Sequence, residues 1–207
     1  MTRIELPPTK SSLRKIKEDL AFAYEGHDLL NQKREILAME IMKKVSVIRK
    51  MEEEFLILLR SLYDSWRNAA FDMGTQAAIL KSASEKKNWE LQLVHTRFMG
   101  LKLPQFVLSA QPFSPPDSPW GSTASYDTAK REALKVLGIL VQYAALSREV
   151  ILLSRELKKV QRRVNALEKL FIPPHEEAKK FIVDRLEEME REEVYVKKLL
   201  RQRMGSE

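Results

Sequence analysis

Three histidines are the first residues to test for chemistry. His27, His95 and His175 fall in separate regions, and none has a second His or Cys at metal-ligand spacing. The chain has no cysteine, which excludes disulfides and thiolate sites and is compatible with a reducing compartment. A lone His on a helix is more often structural than catalytic. His27 falls on an apolar seam, where it is either a pH-sensitive spot or a polar residue tolerated at a loose position. Glu187, Glu188, Glu190, Glu192 and Glu193 form an acidic run. Paired carboxylates do acid–base work when burial separates their pKa values, but nothing here indicates burial, so the run reads as a solvated face. Lys158, Lys159, Arg162 and Arg163 form a basic counterpart able to meet phosphates or an acidic partner.

The six glycines, Gly26, Gly74, Gly100, Gly121, Gly138 and Gly205, build neither a phosphate loop nor a dinucleotide fingerprint. Phe113, Trp120 and Tyr126 read as packing anchors, because base-stacking modules interleave aromatics with basic residues on a sheet. The expectation is therefore no catalytic residue, no metal site and no cofactor.

The elements that would position these residues are mostly helical. Pro7 and Pro8 close a short arm, and Thr9, Ser11 or Ser12 can cap a helix. From there to about Met73 there is no Pro, and the only Gly is Gly26. A seam runs Leu13, Ile16, Leu20, Ala23, His27, Leu30, Arg34, Leu37, Ile41, Lys44, Ile48, Met51, Phe55, Leu58, Leu62. Steps of three and four average 3.5 residues, the period of a left-handed coiled coil. His27, Arg34 and Lys44 interrupt it, either to set register or where pairing is loose.

The middle changes character. The runs 89–95 and 104–109 carry aromatic and β-branched residues, with Met99 and Gly100 between them, and predict a small β-hairpin. The Pro-rich stretch 111–125 predicts a loop. A second helix, beginning near Asp127 or Thr128, has the cleaner seam: Val136, Ile139, Tyr143, Leu146, Val150, Leu153, Leu157, Val160, Val164, Leu167, Phe171. Pro173 and Pro174 predict a kink or restart. The seam then resumes, shifted, through Ala178, Ile182, Leu186, Met189, Val196 and Leu200.

Each long helix would span roughly 90 Å or more at 1.5 Å per residue. Each has one apolar stripe to bury, and the other helix is the nearest partner. The expected fold is mainly α: a long antiparallel two-helix coiled coil with a small central β-hairpin knob. We expect one continuous domain: 1–73 as arm and first helix, 74–127 as hairpin and Pro-rich loop, 128–207 as second helix. Composition agrees: of 207 residues 31% are charged, only 6 are Gly, and the net charge is +7. No run of about 18 uninterrupted apolar residues predicts a membrane span. The N-terminus lacks the apolar core of a signal peptide, so a soluble, intracellular chain is expected.

Several strings resemble a known family. Pro8-Thr9-Lys10, Leu13, Leu20-Ala21 and Gly26 to Arg34 are similar to the opening of the D subunit of V/A-type rotary ATPases. Arg162-Arg163-Val164-Asn165-Ala166-Leu167-Glu168, followed by Ile172-Pro173, resembles that family's most distinctive string. Met99-Gly100-Leu101-Lys102-Leu103-Pro104 resembles its central Met-Gly-Val-x-Pro pattern. Asn31 stands where the family usually has Lys, and Pro174 adds a second proline.

The resemblance implies a non-catalytic central rotor shaft carrying torque between a nucleotide-binding hexamer and a membrane ion-translocating ring. Implied partners are the catalytic A/B-type hexamer, the small F subunit, and a socket subunit above the proteolipid ring. No nucleic acid and no direct membrane insertion are implied, and the chain would sit peripherally on the cytoplasmic face. Expected partner contacts are Lys10, Arg14, Lys15 and Lys17 with Lys198, Arg201 and Arg203 toward the hexamer. Arg162 and Arg163 would face a stator or the F subunit, with Asn165 and Glu168 as further partner contacts. Met99, Gly100 and Pro104 would face the socket. The alternative is a coiled-coil scaffold or adaptor without a rotary partner. A nucleic-acid-binding helical protein would rest on positive charge alone, and an enzyme lacks any nucleophile, base or metal constellation.

Overall fold

A computed structural model describes residues 7–84, 89–110 and 122–204, with Ala110, Arg203 and Met204 described by their backbone alone. Its elements are α1 (Lys10–Met73), α2 (Thr75–Ser84), β1 (Trp89–Phe98), β2 (Leu101–Ala110), α3 (Ala124–Ala166), a π-helical turn (Leu167–Phe171) and α4 (Ile172–Met204). The chain is mainly helical, with long N- and C-terminal helices and a small antiparallel hairpin between them, as its sequence predicts. It forms two units: Met1–Ala38 with Glu156–Glu207, and Met39–Arg155.

In the first unit, α1 starts where Thr9 caps it. The Thr9 hydroxyl oxygen accepts the Ser12 backbone N–H at 3.2 Å, satisfying one of the donors a helix start leaves open. Ile16, Leu20 and Ala23 of α1 then bury against Ile172, Ala178 and Ile182 of α4, with Leu13, Leu167 and Leu186 packed alongside. Each fully buried aliphatic chain contributes about 1.5–3 kcal/mol, so this cluster is the main attachment of α4. The pairing is antiparallel: Lys10 meets Glu190, Tyr24 donates to Glu176, and Lys33 meets Glu156.

The two prolines do not break the helix. The Ile172 backbone N–H bonds to the Leu167 carbonyl oxygen, a five-residue step in place of four. This inserts one residue into the turn and advances the seam from Leu167 to Ile172. Phe171, expected on the seam, is therefore 38% exposed, and Ile172 is buried in its place. Pro173 and Pro174 follow directly behind this widened turn, within a helix that continues unbroken. His175 has a structural role here. Its Nδ1 lies 2.7 Å from the Phe171 carbonyl oxygen, and its ring stacks on Phe171 at 4.0 Å.

A second correction falls at the C-terminal end. Ala178 and Ile182 are buried as expected, but Met189, Val196 and Leu200 are 44%, 52% and 54% exposed. Helix α1 begins at Lys10, which already sits beside Glu190. Among the described residues, α1 has nothing left to cover the seam positions farther along.

In the second unit, α1 and α3 are also antiparallel. Lys44 meets Glu149, Phe55 stacks on Tyr143 at 6.5 Å, and Trp66 lies 6.4 Å from the buried Tyr126. Tyr126 is thus a packing anchor, as expected; Phe113 and Trp120 lie outside the described residues, as does the Pro-rich segment 111–121. Helix α3 starts at Ala124, earlier than expected, because Thr123 Oγ1 accepts the Tyr126 backbone N–H at 3.3 Å and caps it. Helix α1 ends at Gly74, whose φ of 84° is the left-handed conformation that closes helices without a Cβ penalty. The chain resumes at once as α2, a helix that periodicity does not reveal.

The hairpin runs longer than expected. Pairing extends from Trp89↔Ala110 to Phe98↔Leu101, leaving Met99 and Gly100 as a two-residue turn. Both have positive φ, 48° and 83°, the type I′ geometry that matches strand twist. Pro104, opposite His95, is tolerated because both strands of a two-stranded sheet are edges.

The helix Ala124–Gln202 is long and apolar enough, by length and composition alone, to cross a membrane. Lys135, Arg148 and Glu149 interrupt its apolar stretch, so no run of about 18 uninterrupted apolar residues occurs there. The same helix supplies apolar seams and the buried Glu149, which is paired with Lys44 of α1.

Candidate partner-contact surfaces

The seam positions expected in α1, Leu13 to Leu62, are all buried or half-buried, and so are those of α3 from Val136 to Leu167. Two of the three polar interruptions, Lys44 and Arg34, reach across to the partner helix, whereas the contacts of His27 lie on its own helix. The Lys44 ammonium lies 2.6 Å from Glu149 and 3.4 Å from Glu40, and the Glu149 side chain is 3% exposed. Burial pulls the Lys44 ammonium down, but hydrogen bonds and charge from Glu149 and Glu40 outweigh it, so its pKa stands above the ordinary 10.5. Arg34 reaches Gln161 at 3.5 Å, and Gln161 in turn donates to Asn165 Oδ1 at 2.8 Å. His27 lies 3.2 Å from Asn31 through Nε2 and 3.4 Å from Asp28 through Nδ1.

Sequence reasoning missed Lys33 and Glu156. They pair at 3.0 Å, half-buried. The Lys33 hydrogen bond holds the Glu156 carboxyl below its ordinary value of 4.5 against opposing desolvation, with Lys159 and Arg163 adding positive charge. The available signal was opposite charges beside seam positions on both helices. Glu149 directly precedes the seam residue Val150, and in the sequence its partner Lys44 reads only as an interruption.

Of the expected contact residues, Lys10 is exposed and ion-paired with Glu190 at 3.2 Å, and Arg14 pairs with Glu18 at 3.4 Å along its own helix. Lys15, Lys17, Lys198 and Arg201 are exposed. None of these four makes an ion pair among the described residues. The Arg203 side chain lies outside the described residues. Arg162 and Arg163 are exposed and pair with neither Glu156 nor Glu168, whose helical spacing is poor for contact. Asn165 is engaged by Gln161, and Glu168 is exposed on the π-helical turn. Met99 sits 40% exposed at the hairpin tip beside exposed Gly100, whereas Pro104 is half-buried within β2.

The acidic run lies on an exposed face, laced by Arg185–Glu188, Arg191–Glu187 and Lys197–Glu193 pairs. Among the described residues, no group of three His, Asp or Glu is placed to hold a metal ion. What the surface offers is charged and apolar side chains for other macromolecules.

A sequence profile for the D subunit of ATP synthase matches residues 12–202. The V-type ATP synthase D subunit of Thermotoga neapolitana is 29% identical over 98% of this chain and all of its own length. The A-type ATP synthase D subunit of Thermococcus kodakarensis is 31% identical over 98% of both chains. That of Desulfurococcus is 30% identical, again over 98% of both.

Proposed function

Because the chain belongs to the family of ATP synthase D subunits, and is thereby a subunit of a membrane-associated V/A-type rotary ATPase, we propose that it is the non-catalytic central rotor shaft. It carries torque between a catalytic A/B-type hexamer and a membrane ring that moves protons or sodium ions, from a peripheral position on the cytoplasmic face. The F subunit and the socket subunit above the ring are its other partners.

The observation that carries this reading is the antiparallel pairing of N- and C-terminal helices, with apolar seams turned inward and exposed cations turned outward. Two helices joined along a seam resist twisting better than one, and torque transmission needs that stiffness. An asymmetric shaft favours different conformations of otherwise similar catalytic sites, by making different contacts with each. Lys15, Lys17, Lys198 and Arg201 face the wall of the hexamer, long-reaching charges that hold no single orientation tightly. Arg162 and Arg163 meet a stator or the F subunit, and Met99 and Gly100 meet the socket.

The test is reconstitution with the catalytic hexamer of the same source. The expected result is one chain per hexamer on sizing chromatography with altered ATPase. Charge reversal at Lys15, Lys17, Lys198 and Arg201 should uncouple turnover from rotation. A chain that ignores the hexamer and forms rods of its own would favour a scaffold.

A further inference from the structure

The turn at Leu167–Phe171 offers two side chains for one seam position. Ile172 takes it and is buried, whereas its neighbour Phe171, the larger apolar side chain, is left 38% exposed. Yet Val164, Leu167, Phe171, His175, Ala178 and Ile182 follow one another in steps of three and four. An unbroken α-helix turns residues at that spacing to the same side. Val164, Ala178 and Ile182 are buried, and Leu167 and His175 are half-buried. Phe171 is the one member of this series that the π-helical turn puts out of the seam.

Different forces favour the two arrangements. An α-helical turn would bring the rings of Pro173 and Pro174 against the carbonyls of Lys169 and Leu170, four residues back, with no N–H to offer them. That favours the wider turn, in which the Ile172 N–H reaches the Leu167 carbonyl oxygen. Against it stands burial, since an α-helical turn would cover Phe171 in place of the smaller Ile172. His175 acts as a catch on the wider turn: its ring stacks on Phe171 at 4.0 Å, and its Nδ1 lies 2.7 Å from the Phe171 carbonyl oxygen. Single π-helical turns within α-helices recur at functional sites.

We propose that residues 167–175 are a torsional joint with two registers, a π-helical one with Ile172 in the seam and an α-helical one with Phe171 in it. Ala178 and Ile182 fit the seam in both, so exchange does not unpack α4 from α1. It removes or restores one residue of helical phase, about 100°, which the paired helices take up as twist. Close-packed side chains switch between discrete arrangements of this kind because they do not deform continuously. The inference goes beyond the rotor reading and stands without it; on that reading, the joint lets one end of the shaft twist without losing its seam.

The experiment uses the full chain in solution. 4-Fluorophenylalanine replaces Phe171, and fluorine NMR reads its exposure to a dissolved paramagnetic quencher and its exchange by relaxation dispersion. The expected result is an exposed main resonance in exchange with a minor, protected one. Pro173→Ala with Pro174→Ala removes the obstacle to the α-helical register and raises helix propensity. It should raise the ratio of protected to exposed Phe171 by about tenfold or more, the effect of 1.4 kcal/mol. Ile172→Ala, which empties the competing position, should move the ratio the same way. A wild-type chain with one exposed resonance and no dispersion overturns the proposal. So does a proline variant of unchanged helix content in which Phe171 stays exposed.

Discussion

The two units bury their helix pairs by different means. Near the chain ends, Ile16, Leu20 and Ala23 pack on Ile172, Ala178 and Ile182, an apolar cluster with ions only around it. In the other unit, the seam admits Lys44 and closes it on the buried Glu149. Apolar contact is strong but nearly blind to register, since Leu against Ile is as good as Leu against Val. A buried ion pair adds little net stability, because desolvation offsets most of its attraction, yet it is very costly to misalign. We expect the apolar cluster of the first unit to supply adhesion, and Lys44–Glu149, buried more deeply than the first unit's own Lys33–Glu156 pair, to supply alignment.

Breaking the alignment should have the largest effect. Lys44→Met leaves Glu149 buried without its main partner and should cost about 3–5 kcal/mol in urea unfolding. Adding Glu149→Leu should recover most of that loss, since a well-packed apolar pair replaces buried ions at little or no cost. If the double variant is as unstable as the single, the pair does more than align.

Breaking the adhesion comes next. Ile182→Ala, at a fully buried position of the first unit, should cost about 2–4 kcal/mol and loosen α4, read as faster amide exchange there than in the second unit. An equal rise in both units would show that they unfold as one. Smaller again is Thr9→Ala, which removes the cap of α1. It should cost about 1 kcal/mol, with exchange increased only in the first turn.

The mildest test is acid titration. Glu156 has its folded pKa below the ordinary 4.5, chiefly through the Lys33 hydrogen bond. Its contribution is present in full above the unfolded pKa and fades as pH falls through the lower, folded one. Glu156→Gln should flatten the pH dependence of stability on that acid limb and leave neutral pH nearly untouched. An unchanged acid limb would show that the Lys33–Glu156 pair adds nothing to stability.

Much of this is legible in the residues alone. A 3.5-residue repeat is a local property of the chain, and every apolar residue assigned to the α3 seam up to Leu167 is at least half-buried. The hairpin is readable because Met99-Gly100 divides two alternating runs. The missed features depend on things a repeat does not carry. Helix α2 is only ten residues long, too short to establish a phase, and α3 begins early because a single Thr caps it. The candidate contact residues are partly legible as well. Exposure of Lys15, Lys17, Arg162 and Arg163 follows from their off-seam positions, whereas the engagement of Asn165 by Gln161 depends on which rotamers neighbouring turns allow.

The sequence by itself determined the helical class, the inward stripes and the absence of a metal- or nucleotide-binding motif, because periodicity and residue type act along the chain. Only the tertiary structure decided how Pro173 and Pro174 are carried: behind a π-helical turn that moves Ile172, not Phe171, onto the seam. It also decided that Lys44 closes on the buried Glu149 of α3. Both outcomes depend on the position of a partner helix about 10 Å away, and pattern within one helix contains no record of that distance.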